Sequence, residues 1–133
     1  MVKKTIKLSS SPTSITVLEE YLQDLLLENQ LCASKFPDIL ISLTEAVNNA
    51  IIHGNKSDAS KEVQVNCKHS KTGISFSIID QGNGFDPQTI PDPTSPEKIE
   101  CCGGRGVFII NALADKVAYK NNGSTVEIYF NLA

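Results

Sequence analysis

Three short segments of this 133-residue chain hold the residue types that can do chemistry. In Glu45-Ala-Val-Asn-Asn49-Ala-Ile-Ile-His53-Gly54, an acid, a carboxamide and an imidazole recur every four residues. On a helix they share one flank, within reach of one another. In Asp80-Gln-Gly82-Asn-Gly84-Phe-Asp86, a carboxylate at a strand end can accept the exocyclic amine of adenine, and residues without Cβ atoms let base and sugar lie against the backbone. In Gly103-Gly104-Arg105-Gly106, the only arginine of the chain sits between glycines, directly before the apolar run Val107-Phe108-Ile109-Ile110. Bare backbone N–H groups, a helix dipole and a planar fork of donors converge there, as a phosphate contact requires. Together the three segments point to a nucleotide site.

Taken singly, each has a plainer reading. Glu45, Asn49 and His53 could be solvated positions at the border of an amphipathic helix, although asparagine is a poor interior helix former. An Asp/Gly turn after a strand is commonplace, and the glycine-arginine turn could be only a helix start. The latter lacks the Gly-Lys-Ser/Thr of a phosphate-binding Walker loop, and its spacing is not a dinucleotide fingerprint.

The elements that must position these residues follow from periodicity. Val2 to Leu8 alternates as a half-buried strand. Thr13 or Ser14 can cap a helix through about Glu28, with Ile15, Leu18, Leu22, Leu25 and Leu26 at helical spacing. A second helix is predicted from Phe36 to Ile52, with Pro37 in its first turn, a core face of Ile39, Leu43, Ala46 and Ala50, and Gly54-Asn55 ending it. Glu62 to Lys68 and Gly73 to Asp80 read as antiparallel strands turned near Ser70 to Gly73. Asp86 to Cys102 holds Pro87, Pro91, Pro93 and Pro96 and breaks every periodicity, so it reads as a loop, of a length more often used as a lid than as a connection. A helix from Arg105 to Leu113 and the strands Lys116 to Lys120 and Thr125 to Asn131, turned by Asn121-Asn-Gly123, complete the chain. The expected fold is α+β: a two-layer sandwich with a mixed, mostly antiparallel sheet and helices on one face.

Composition narrows the function. Residues 1–133 suffice for a single domain with its own core, and the net charge of −3 with mixed signs provides no basic field for nucleic acid or an anionic membrane. Partners are therefore expected to be protein and small molecule. No apolar run spans a bilayer and no signal peptide is evident, which places the protein in the cytoplasm. Cys32, Cys67, Cys101 and Cys102 have neither zinc-ribbon nor secreted-disulfide spacing and read as reduced thiols.

In order and spacing the three segments resemble the N box and the two glycine boxes of the GHKL ATPases, which share the Bergerat ATP-binding fold. Within that superfamily the chain is most similar to the bacterial anti-sigma factor serine/threonine kinases. The likeness runs through Glu45 to Gly54, Asp80 to Pro87, Asp92 to Glu97 and Gly104 to Ile110, nearly the whole chain.

The resemblance implies ATP and Mg²⁺ as ligands. Asn49 would ligate Mg²⁺, Glu45 would be the general base, and Asp80 would bind the adenine amine, with Gly82 and Gly84 giving it room. Residues 86–103 would form the ATP lid. Gly104 and Gly106 would give N–H groups to the phosphates, with Arg105 near the γ-phosphate or its acceptor and Val107 just beyond. Thr125 would lie near the adenine, and His53 occupies a family position of less defined role. A glutamate at position 45 favours transfer to a hydroxyl, since histidine-directed relatives usually place asparagine there. The implied function is an anti-sigma factor kinase in a partner-switching system, a homodimer that phosphorylates a small antagonist and binds a sigma factor or analogous regulator. The alternative is a non-catalytic, ATP-gated binding module using the same pocket.

Overall fold

Alternating apolar and polar residues make five strands: β1 (Val2–Ser9), β2 (Glu62–His69), β3 (Gly73–Ile79), β4 (Lys116–Lys120) and β5 (Thr125–Asn131). The structure is a computed structural model that describes residues 2–11, 13–28, 33–82, 104–121 and 124–131, and of residues 2–4, 28, 33 and 104–107 the backbone alone. The strands form one sheet in the order β1-β2-β3-β5-β4. Each neighbouring pair is antiparallel, so among the described strands the sheet is not mixed as the sequence suggested. β3 and β5 are adjacent although a helix and β4 intervene in the chain, with Gly73 opposite Asn131 and Ile79 opposite Thr125.

One face of this sheet is apolar. Val63, Val65 and Cys67 of β2, Ile74, Phe76 and Ile78 of β3, and Val126, Ile128 and Phe130 of β5 are all buried. Phe76 and Phe130 meet edge to face, with ring centroids 6.5 Å apart. On the other face, Asn66, Ser77 and Glu127 lie side by side in register.

The helices supply the second layer. α1 (Ser14–Glu28) buries Leu18, Tyr21, Leu22 and Leu25, and α2 (Phe36–Asn49) buries Ile39, Leu43, Ala46 and Val47. α3 (Gly104–Leu113) buries Ile110 and, like α1, packs against α2. Leu18 and Leu43, both at 0 % exposure, each contribute about 1.5–3 kcal/mol of apolar burial. Among the described residues no helix is long and apolar enough to cross a membrane.

Three local features differ from expectation. Ser14 does not serve as an N-cap: its hydroxyl turns back and donates to the carbonyl of Ser9 at 2.8 Å. α2 stops at Asn49 and continues as a wider π turn, Ala50–Gly54, closed by the Asn55 N–H on the Ala50 carbonyl at 2.8 Å. Lys56 and Ser57 then take φ of 52° and 57°, the left-handed backbone that reverses the chain out of the helix. Gly104, Arg105 and Gly106 form the first turn of α3 itself and not a loop before it. The predicted lid (residues 86–103, with Cys101 and Cys102), Cys32, and the turn at Asn122-Gly123 lie outside the described residues. Cys67 is buried and takes part in no disulfide among the described residues.

Candidate functional site

The buried face of α2 sets its rotation. With Ile39, Leu43, Ala46 and Ala50 in the core, Glu45 and Asn49 fall on the half-buried flank. They are one α-helical turn apart, which brings their Cβ atoms to about 5–6 Å. His53 is exposed and stands on the π turn, where the backbone no longer follows the α-helical repeat that aligned it with Asn49 in the sequence.

Beyond His53 the helix end meets the turn after β3 with no room between them. A Cβ on Gly54 would fall on the Asp80 carboxylate, and a Cβ on Gly82 would fall on the Gly54 carbonyl. The requirement at both glycines is space, met by backbone packed directly on backbone or carboxylate. Asp80 is held from two sides: its N–H donates to the Ser124 carbonyl at 2.9 Å, and its Oδ1 accepts the Gly82 N–H at 2.9 Å.

Burial raises the Asp80 carboxyl above its ordinary value, against the smaller opposing effects of the Gly82 N–H and the Lys61 charge. A carboxylate held partly out of water, with a fixed orientation, is suited to accept a hydrogen bond from a ligand. Around it, Asn55 and Gln81 tie the turn to the start of β2: the Gln81 N–H donates to Asn55 Oδ1 at 2.7 Å, and the Glu62 N–H donates to Gln81 Oε1 at 2.6 Å.

Not every expected site residue joins this group. Thr125 sits opposite Ile79, on the sheet face away from the core, where its hydroxyl accepts from Asn121 Nδ2 at 3.2 Å. The residue whose backbone meets Asp80 is Ser124. Ser124 and Thr125 are adjacent, and one step along a strand changes face. Gly104, Arg105 and Gly106 open α3, whose first N–H groups have no intrahelical acceptor. Gly84 lies outside the described residues, as do the side chains of Arg105 and Val107.

Sequence reasoning missed Asn55, Gln81 and Ser124. Asn55 had a faint signal, a polar residue following the helix-ending glycine, but it was read only as punctuation.

A groove of about 620 Å³ on the outer sheet face is lined by Lys68, Ser75, Ser77, Lys116, Glu127 and Tyr129, among others. None of the candidate nucleotide residues lines it. Among the described residues no group of three or more His, Cys, Asp or Glu side chains could hold a metal. A cation here would have to take much of its coordination from phosphate oxygens and water. A carboxamide such as Asn49 fits that donor set.

The profile of the histidine kinase-like ATPase domain family matches residues 8–130. The chain is similar to the serine-protein kinase RsbW of Oceanobacillus iheyensis, 32% identical over 90 residues that cover 63% of this chain and 57% of that protein. It is similar to the RsbW of Bacillus licheniformis, 32% identical over 98 residues, 68% of this chain and 61% of that one. The matches thus span less than two thirds of the length of these relatives. The RsbW of Listeria innocua is 24% identical over 131 residues, 93% of this chain and 83% of its own. A crystal structure of the RsbU and RsbW domains of a Mycobacterium tuberculosis protein superposes with a TM-score of 0.67 at 17% identity, covering 98% of this chain and 32% of that one, which establishes a shared fold.

Proposed function

Because this chain belongs to the histidine kinase-like ATPase domain family, we propose that it is an ATP-dependent protein serine/threonine kinase that acts as an anti-sigma factor in a partner-switching system. The observation that carries the proposal is the placement of Glu45 one turn before Asn49 on the open edge of α2, with Asp80 and Gly82 docked against the end of the same helix. An acid and a cation ligand then share one rigid helix, with a base-binding carboxylate held against its end.

Asp80 accepts the adenine amine, Gly82 lets the Asp80 turn close on Gly54, and Gly84 leaves room for the ring. Asn49 is the residue that would hold Mg²⁺. Bound Mg²⁺ supplies neutralisation of charge on the phosphate oxygens. Glu45 takes the proton of a serine or threonine hydroxyl as its oxygen bonds the γ-phosphorus; the bond from phosphorus to the bridging oxygen breaks, and ADP leaves. General-base assistance of this kind is worth about 10²–10⁴ in rate. The Gly104 and Gly106 N–H groups and Arg105 stabilise charge on the transferring group. Residues 86–103 act as the lid whose nucleotide state favours one partner over the other, because a ligand shifts an equilibrium only by its differential affinity. The acceptor is a small antagonist protein, the alternate partner is a sigma factor or analogous regulator, and the working unit is a cytoplasmic homodimer.

The test is Mg²⁺-dependent binding of ATP and ADP to wild type and Asn49→Ala by calorimetry, with transfer of labelled γ-phosphate to candidate antagonists. Binding lost in Asn49→Ala, with label on serine or threonine in the wild type, is the expected result. Binding without transfer to any candidate would make the protein an ATP-gated binding module. Absence of binding would overturn both readings.

A further inference from the structure

Asn55 has no part in the chemistry above, yet it is 1% exposed. A carboxamide so deeply buried must have its hydrogen bonds met, and each partner of this one lies on a different segment. Nδ2 donates to Ser10 Oγ, just past β1, at 2.8 Å and to the Glu62 carbonyl, at the start of β2, at 3.1 Å. Oδ1 accepts the Gln81 N–H, beside Asp80, at 2.7 Å. Nδ2 faces two acceptors and the oxygen faces an N–H donor, so the network fixes which way the amide points. The N–H of the same residue closes the π turn on Ala50.

The neighbours interlock. Gly54 precedes Asn55 and abuts the Asp80 carboxylate; Gly82 follows Gln81 and abuts the Gly54 carbonyl. Residues 54–55 and 80–82 therefore lie against each other with Asn55 as the bolt between them. Asn49 stands six residues earlier, immediately before the π turn on the same run of helix. Whatever fixes residue 55 to residue 81 fixes the separation between the phosphate end and the base end of the site.

We infer that Asn55 is a positioning residue of the nucleotide site, holding the Asp80 carboxylate in register with Asn49 and so setting the preference for a base that carries an amine. The inference rests on the reading of Asp80 as the nucleobase ligand. Without the carboxamide, the Gln81 N–H loses its acceptor and the turn is free to carry Asp80 off the amine, while the phosphate contacts remain.

The test compares the affinities of ATP and of purine riboside triphosphate, which lacks only the 6-amine, for wild type, Asn55→Ala and Ser10→Ala, each on protein shown to be folded by circular dichroism. Wild type should prefer ATP about 10- to 100-fold, the value of one charge-assisted hydrogen bond. In Asn55→Ala that preference should fall to within about twofold of unity, with little change for the analogue, because only the amine contact is lost. Ser10→Ala, outside the site, removes one of the two oxygens that Nδ2 engages and should shift the preference the same way by a smaller factor. A purely structural role would weaken both ligands equally and leave the ratio unchanged, which would overturn the inference. If Asn55→Ala fails to fold, an unchanged ratio in Ser10→Ala overturns it. Wild type that binds ATP without preferring the amine removes the reading of Asp80 and this inference with it. A wild-type preference retained in both variants removes this inference alone.

Discussion

Gly54→Ala puts one methyl group into the tightest joint of the site. An ideal Cβ at Gly54 would stand 2.9 Å from Asp80 Oδ1 and closer still to Cγ and Oδ2. The carboxylate must retreat by about 1 Å to reach ordinary contact, enough to carry the 2.9 Å bond from the Gly82 N–H out of hydrogen-bonding range. A hydrogen bond to a charged acceptor is worth about 1.5–3 kcal/mol, and the half-exposed setting argues for the lower end. Alanine in place of a helical glycine offsets about 0.5–1 kcal/mol. The net loss should be about 0.5–1 kcal/mol, a fall in Tm of roughly 2–4 °C. ATP affinity should fall about 10- to 100-fold, because the displaced group is the one that receives the amine. Gly73→Ala is the matched control: its Cβ would meet the Tyr129 ring, at the far end of β3, roughly 20 Å from Asp80 at 3.3 Å per residue. It should lower Tm and leave ATP binding intact. Thermal unfolding by circular dichroism and titration calorimetry well below both midpoints measure the two effects. Wild-type ATP affinity in Gly54→Ala, or equal weakening in Gly73→Ala, would refute the reasoning.

Glu45→Gln keeps the shape of the side chain and removes the base, so phosphotransfer should drop about 10²–10⁴-fold with ATP affinity within about threefold of wild type, as read by single-turnover transfer and calorimetry. Asp80→Asn should weaken ATP binding while raising the Tm of the ligand-free protein near neutral pH. The sign follows from the raised carboxyl: the folded state holds that proton more tightly, so Asp80 favours folding below the unfolded value and this contribution is lost as pH rises through the folded one. The Tm advantage of Asp80→Asn should therefore shrink on acidification, and an advantage that grew instead would be incompatible with burial as the cause. Ser42 is 0% exposed and its hydroxyl has no hydrogen-bond partner among the described residues. Ser42→Ala should stabilise the fold by about 1 kcal/mol in denaturant titration, since an unmet hydroxyl is removed and helix propensity improves.

The elements were legible because each strand and helix carries its own periodicity. Ile39, Leu43, Ala46 and Ala50 gave the buried face of α2, and the structure buries all four. What was not legible depends on contacts between segments distant in sequence. Antiparallel pairing of β3 with β5 is decided by the sheet order, which no local pattern encodes. The π turn after Asn49 leads into the contact of residues 54–55 with residues 80–82, and a helix pattern running smoothly to Ile52 gave no sign of it. Thr125 is placed near the base by likeness to a family position, and its strand register, opposite Ile79, depends on a partner strand that its own neighbours do not encode. Asn55 looked like a helix stop because its three partners are 45, 7 and 26 residues away.

The fold itself selects no chemistry, since one scaffold can carry different activities. What this chain adds to the scaffold is the way one helix is used at both ends. The apolar side of α2 is locked by Leu43 and Val47, each at 0% exposure, so Glu45 and Asn49 inherit the rigidity of the core and not that of a loop. At its C-terminal end the α-helical repeat is broken by the π turn, and that break lets Gly54 and Asn55 dock on the Asp80 turn. Had the α-helix continued unbroken, Asn55 would not meet Ser10, Glu62 and Gln81 together. The departure from regular helix and the docking of residues 54–55 on the Asp80 turn are thus one structural event. Regularity before residue 50 orients Glu45 and Asn49, and irregularity after it joins their flank to the Asp80 carboxylate.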